Sequence, residues 1–155
     1  MSNCCPGRQI VVCDPFDRDS FERLDPKLDG IFHLGQFSGV SAESVAALFK
    51  GRPARIVSGY FPKSVESESL PRFSFVHLDV DVYAATRDSL RYLLSEQRLC
   101  GNSLIVLDDY RRKAAGVDRA VAEIVSEIEG TLAFPLFPGQ ALVVPKTWKG
   151  FPAAG

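Results

Sequence analysis

Residues 73–83, Phe-Ser-Phe-Val-His-Leu-Asp-Val-Asp-Val-Tyr, constrain this chain more than any other stretch. Phe73, Phe75, Val76 and Leu78 form a short aromatic and β-branched run with two carboxylates directly after it. That pattern predicts a buried strand of a parallel sheet, ending at the rim where open α/β sheets bind ligands. A second apolar run, residues 103–107, ends the same way in Asp108-Asp109-Tyr110. Residues 84–99 between them have the length and composition of one crossover helix, so the two acidic ends are expected side by side on one sheet edge.

The rest of the chain is read around that pair. Residues 9–13 predict a short strand stopped by Pro15, which leaves Asp14 at its carboxyl end. Residues 17–39 have no clean period and predict a long loop carrying some packed aromatics. Ser41 is the expected N-cap of a helix reaching Lys50, with Val45, Leu48 and Phe49 as its apolar stripe and Gly51 and Pro53 after it. A strand over 54–57, a turn at 59–62 and polar surface over 64–69 follow. Beyond Gly116, Val117, Val121, Ile124, Val125 and Ile128 share one face of a helix that Gly130 terminates. Residues 131–137 and 140–144 then predict an antiparallel hairpin turning at Pro138-Gly139.

This alternation predicts an α/β, Rossmann-like, mostly parallel sheet with helices on both faces and a C-terminal antiparallel hairpin. With 155 residues, one domain is expected over 1–155, flexible at 1–8 and 150–155. A net charge of −1 gives no broad pull toward nucleic acid or an anionic membrane. No apolar run approaches the roughly 20 residues of a membrane helix. The N-terminus lacks a signal peptide's basic start and apolar core, so cytoplasmic residence is the default expectation. The four cysteines, Cys4, Cys5, Cys13 and Cys100, match no zinc or disulfide spacing and read as incidental thiols. His77 reads as a packed strand residue, favoured over a base.

Asp79, Asp81, Asp108 and Asp109 converge if their strands are neighbours. Like charges held close must be protonated, separated or neutralised by a cation, and a hard divalent ion such as Mg²⁺ suits carboxylate oxygens. Alternation puts Asp79 and Asp81 on one face, so that one could remain off the metal as a base. The competing reading is that these residues cap strand ends on a solvated rim.

Two families place an Asp-x-Asp at a strand end. The haloacid-dehalogenase-type phosphatases are imitated by residues 76–82 and 105–109, but Asp79 and Asp108 lie only 29 positions apart. That leaves no room for the Ser/Thr strand and Lys that such phosphatases carry between the motifs. A series of pieces in order resembles the macrocin O-methyltransferase family of class I S-adenosylmethionine-dependent methyltransferases. The pieces are Asp14-Pro15-Phe16, the turn Gly59-Tyr60-Phe61-Pro62-Lys63-Ser64, the strand end Leu78-Asp79-Val80-Asp81-Val82-Tyr83, Thr86 and Leu90 in the next helix, and Gly101 through Tyr110. Residues 117–122 resemble the family's Ala-Val-rich helix.

This resemblance implies Mg²⁺-assisted methyl transfer from S-adenosylmethionine to a sugar or other small-molecule hydroxyl. By position, Asp79, Asp108 and Asp109 would ligate the metal and Asp81 would take the hydroxyl proton. Asp14 would accept hydrogen bonds from the cofactor ribose, with Phe16 and Gly59 beside it. The sequence departs from the family at Lys63, where an Asp is usual, and at Asn102, where a second Gly is usual. The family's first strand and glycine-rich turn have no counterpart in residues 1–8, so a truncated domain is expected, its mid-sheet gap filled by a homo-oligomeric partner, closed by its neighbours or reorganised. A non-catalytic binding or assembly module is the alternative function, and a Mg²⁺-dependent phosphatase a weaker one.

Overall fold

The computed structural model describes residues 8–16, 21–37, 39–95, 98–112, 114–137 and 139–150. The expected turn residue Pro138, the paired cysteines Cys4 and Cys5, and the tail 151–155 lie outside them. The chain divides into two compact units. The first comprises Met1–Glu22 and His33–Ser69, the second Arg23–Phe32 and Leu70–Gly155.

In the first unit, strand β1 (Ile10–Asp14) pairs in parallel with β2 (Ala54–Ser58), from Ile10 opposite Ala54 to Asp14 opposite Ser58. Helix α1 (Ala42–Leu48) begins as predicted, with the Ser41 side chain accepting from the Ser44 N–H at 3.1 Å. Its predicted apolar stripe does not become a core: no residue of α1 is buried, and Leu48 is 73% exposed. Among the described residues the unit buries Phe16, Phe21 and Val65 instead, and Phe21 meets the exposed Phe37 edge to face at 6.1 Å. Residues 64–69 are not simply polar surface. A 3₁₀ turn, Lys63–Val65, buries Val65 completely, and Glu68 pairs with Arg55 on β2.

The second unit is built on a four-stranded sheet ordered β3 (Phe73–Leu78), β4 (Leu99–Tyr110), β6 (Gly139–Val144) and β5 (Leu132–Pro135). β3 and β4 run parallel, and β4–β6 and β6–β5 run antiparallel, the last pair being the predicted hairpin. Two consequences differ from expectation. β3 is an edge strand of this sheet, and only Leu78 in it is buried, with Phe75 45% exposed. β4 is 12 residues long and runs through the acidic pair rather than ending before it.

Helix α2 (Tyr83–Ser95) is the crossover between β3 and β4, and it packs against α3 (Gly116–Glu127). Val117, Ala120, Val121 and Ile124 form the buried face of α3, while Val125 and Ile128 lie at its margin. They join Leu90 and Leu93 of α2 and Ile105, Leu107, Val143 and Val144 of the sheet among the buried apolar residues. Burying such side chains, at roughly 1.5–3 kcal/mol each, is the main source of this unit's stability. Among the described residues no helix is long and apolar enough to cross a membrane.

Candidate cation site

Three carboxylates meet past the end of β3 and beside the last residues of β4. Asp79, Asp81 and Asp109 each place one oxygen within 4.8 Å of the others. The parallel ladder brings the two segments together, since buried Leu78 lies opposite buried Leu107. Alternation along a strand does not account for the final approach. β3 ends at Leu78, and Asp81 takes a left-handed backbone, φ 61°, that turns it back toward Asp79 and Asp109. Asp109 is also left-handed, φ 59°, and sits where the β4–β6 register shifts between Asp108 and Tyr110. An irregularity of this kind re-aims a side chain at a strand end. Left-handed non-glycine residues are costly and persist where the surroundings over-determine them.

Asp108 is oriented differently. Its Oδ1 accepts from Gln140 Nε2 at 2.6 Å, and its Oδ2 lies 2.9 Å from His77 Nε2. Asp108 shares the face of Val106, His77 and Gln140, where both of its oxygens are engaged. The structure therefore brings together Asp79, Asp109 and the expected base Asp81, and leaves Asp108 outside their group. His77 is exposed and paired rather than packed.

The electrostatics of the cluster follow from its crowding. The Asp81 carboxyl is pushed up to about 7, first by burial, then by a hydrogen bond with Asp109 and by the charges of Asp109, Asp79 and Asp108. Without a cation, this crowding favours the protonated form of Asp81. A compact all-oxygen donor set under this electrostatic load fits a hard divalent ion. Arg112 stands at the margin, its Nε 4.0 Å from Asp109 Oδ1.

The residues expected to contact a cofactor lie in the first unit. Asp14 is exposed at the end of β1, and its Oδ1 accepts from the Phe16 N–H at 2.6 Å. Phe16 is buried with φ 54°, so its ring packs inward. Gly59 donates its N–H to the Asp14 carbonyl at 2.9 Å, tying the ends of β1 and β2 together. It is held as glycine by φ 133° and by Ser64, whose Cβ would lie 2.9 Å from an added Cβ. The donor set suits a diol accepted by Asp14, with Phe16 and Gly59 shaping the turn that presents it.

One residue bearing on the cation site was not foreseen. Asp29, buried in the loop, accepts from the Tyr83 N–H at 3.0 Å, two residues after Asp81. An acidic residue within a Gly-rich loop gave no sequence signal of such a long-range role.

No family model and no curated protein matches this sequence. Solved structures do match. The O-methyltransferase NovP aligns with a TM-score of 0.67 at 16% identity, over 91% of this chain and 61% of that one. The calicheamicin methyltransferase CalS11 aligns at 0.61 and 18% identity, over 90% of this chain and 61% of its own. The apo form of CalS11, described as a TDP-rhamnose 3′-O-methyltransferase, aligns at 0.57 and 18% identity, over 90% and 59%. The chain thus spans about three fifths of the length of the enzymes it resembles. At these identities the likeness establishes the fold: a mixed α/β architecture shared with these methyltransferases.

Proposed function

We propose that this chain is an S-adenosylmethionine- and Mg²⁺-dependent O-methyltransferase domain acting on a hydroxyl of a sugar or other small molecule. The observation that carries the reading is the convergence of Asp79, Asp81 and Asp109 at the carboxyl ends of two parallel strands. The methyltransferase fold of the matching structures, one of them described as methylating TDP-rhamnose, supports it.

Asp79 and Asp109 would hold the cation, and Asp81, half-buried between them, would take the hydroxyl proton. A divalent ion bound there would supply Lewis-acid lowering of the hydroxyl's pKa and a fixed orientation for the nucleophilic oxygen. Asp108 fixes His77 and Gln140 beside the cluster. Asp14 would accept hydrogen bonds from the ribose hydroxyls of the cofactor, as acidic residues at strand ends do in dinucleotide folds.

Thermal shift with each ligand tests the reading directly. A ligand at about 100 times its Kd should stabilise the folded chain by about 2.7 kcal/mol. Mg²⁺ is expected to raise the Tm of the wild-type chain but not of Asp109→Asn. S-adenosylmethionine is expected to raise the Tm of wild type but not of Asp14→Ala. Absence of any shift at millimolar Mg²⁺ would defeat the cation assignment. Transfer of a labelled methyl group to a sugar acceptor, lost in Asp81→Asn, would establish the reaction.

A further inference from the structure

We infer that Asp29 is the positioning residue of the cation site, a role that rests on reading the acidic cluster as that site. Asp29 is 1% exposed, and its two carboxylate oxygens are used on different parts of the second unit. Oδ2 accepts from the Asp25 N–H at 2.9 Å, closing its own loop, whose backbone also bonds Asp29 N–H to Asp25 O at 2.7 Å. Oδ1 accepts from the N–H of Tyr83, the first residue of α2, at 3.0 Å.

That second bond falls at a decisive place. Asp79 and Asp81 are presented by a turn between the end of β3 and the start of α2, and Asp81 within it has φ 61°. A strained turn keeps one geometry only if both of its ends are fixed. The ladder to β4 at Leu78 opposite Leu107 fixes the first end. At the second end, the Tyr83 N–H is an orphan donor of a helix N-terminus, and it receives its partner from a residue 54 positions earlier. The start of α3 closes over the same point. A Cβ on Gly116 would come within 2.1 Å of Asp29 Oδ1 and 2.9 Å of Tyr83 N, so a larger residue there would displace the carboxylate or the helix end. Asp29 therefore ties the loop to the start of α2, with the start of α3 close against that bond, at the foot of the turn that delivers two of the three carboxylates.

Outer partners that orient metal-binding groups typically change metal affinity about 10- to 100-fold when removed. Asp29→Ala should weaken Mg²⁺ binding by about tenfold or more in calorimetry well below the variant's Tm. Asp29→Asn, which keeps one acceptor oxygen, should fall between it and wild type. Gly116→Ala, reaching the same bond from the other side, should resemble Asp29→Ala. Hydrogen exchange gives a readout that needs no metal: the amides of residues 81–83 should lose protection in Asp29→Ala while those of residues 88–94 keep theirs. Unchanged Mg²⁺ affinity, or unchanged protection at 81–83, in a folded Asp29→Ala chain would overturn the inference and leave Asp29 a structural residue. If the wild-type chain bound no Mg²⁺, the cation reading would fall on its own, and loss of protection at 81–83 would still locate the lock.

Discussion

Both pairs of parallel strands in this protein carry acidic residues at their carboxyl ends, and the surroundings of those residues differ. At the end of β1, Asp14 is exposed and uses an oxygen on its own turn, bonding Phe16 N–H. At the carboxyl ends of β3 and β4, three carboxylates are gathered and one of them is pushed far from its ordinary range. The strands beneath differ as well: no residue of β1 or β2 is fully buried, whereas β4 and β6 carry Ile105, Leu107, Ala141 and Val143 in the core. Holding like charges together requires a scaffold that will not yield, and the second unit has the buried apolar area to provide it. An isolated acidic residue that caps its own turn makes no such demand.

The contrast is open to attack first at the scaffold, where the largest effects are expected. Ile124→Ala or Ile105→Ala should lower unfolding free energy by about 2–5 kcal/mol in denaturant titration. Ile56→Ala on half-buried β2 should cost about 1 kcal/mol. Equal losses would mean that the two units are equally well packed, and the difference drawn between them would collapse.

Next comes the sorting of the acidic residues. Asp109→Asn should weaken Mg²⁺ binding at least about tenfold, because it removes a ligand charge from the cluster. Asp108→Asn should leave the affinity closer to wild type, since that carboxylate is engaged with His77 and Gln140. Calorimetry on the two variants decides it, and the reverse order would return Asp108 to the ligand set expected from sequence.

The crowding also predicts a pH dependence. Asp81 has a folded-state pKa of about 7, above its ordinary value of 3.8, so between these values the native chain binds more protons than the unfolded one. Stability in metal-free buffer should therefore fall as pH rises from 5 toward 7 and level off above it. Asp81→Asn should flatten that slope and, at pH 8 without metal, melt at a higher temperature than wild type. A wild-type Tm that climbs with pH across this window would contradict the crowded cluster.

The smallest effects belong to the first unit. Asp14→Ala should cost about 0.5–1.5 kcal/mol through the lost bond to Phe16 N–H. Burial pushes the Cys13 thiol on β1 up to about 11, against the opposing influence of Arg55. At pH 8, labelling followed by peptide mass mapping should find Cys13 slow to react. Rapid labelling would mean that β1 is more open than its pairing with β2 suggests.

The sequence by itself determined the elements and their order. Apolar periodicity set α3, the Ser41 cap set the start of α1, and the run before Asp79 and the run before Asp108 set two neighbouring parallel strands. These are local or near-local signals, carried by side-chain period and helix capping. What only the tertiary structure decided was which carboxylates share a space. Ending the second acidic strand at Leu107 left Asp108 and Asp109 equivalent; in the structure Asp108 is engaged with His77 and Gln140, while Asp109, left-handed like Asp81, joins the cluster. Asp29 was illegible for a related reason. A hydrogen bond across 54 residues has no period, and a buried acidic residue in a loop looks like any other until the helix it caps is in place.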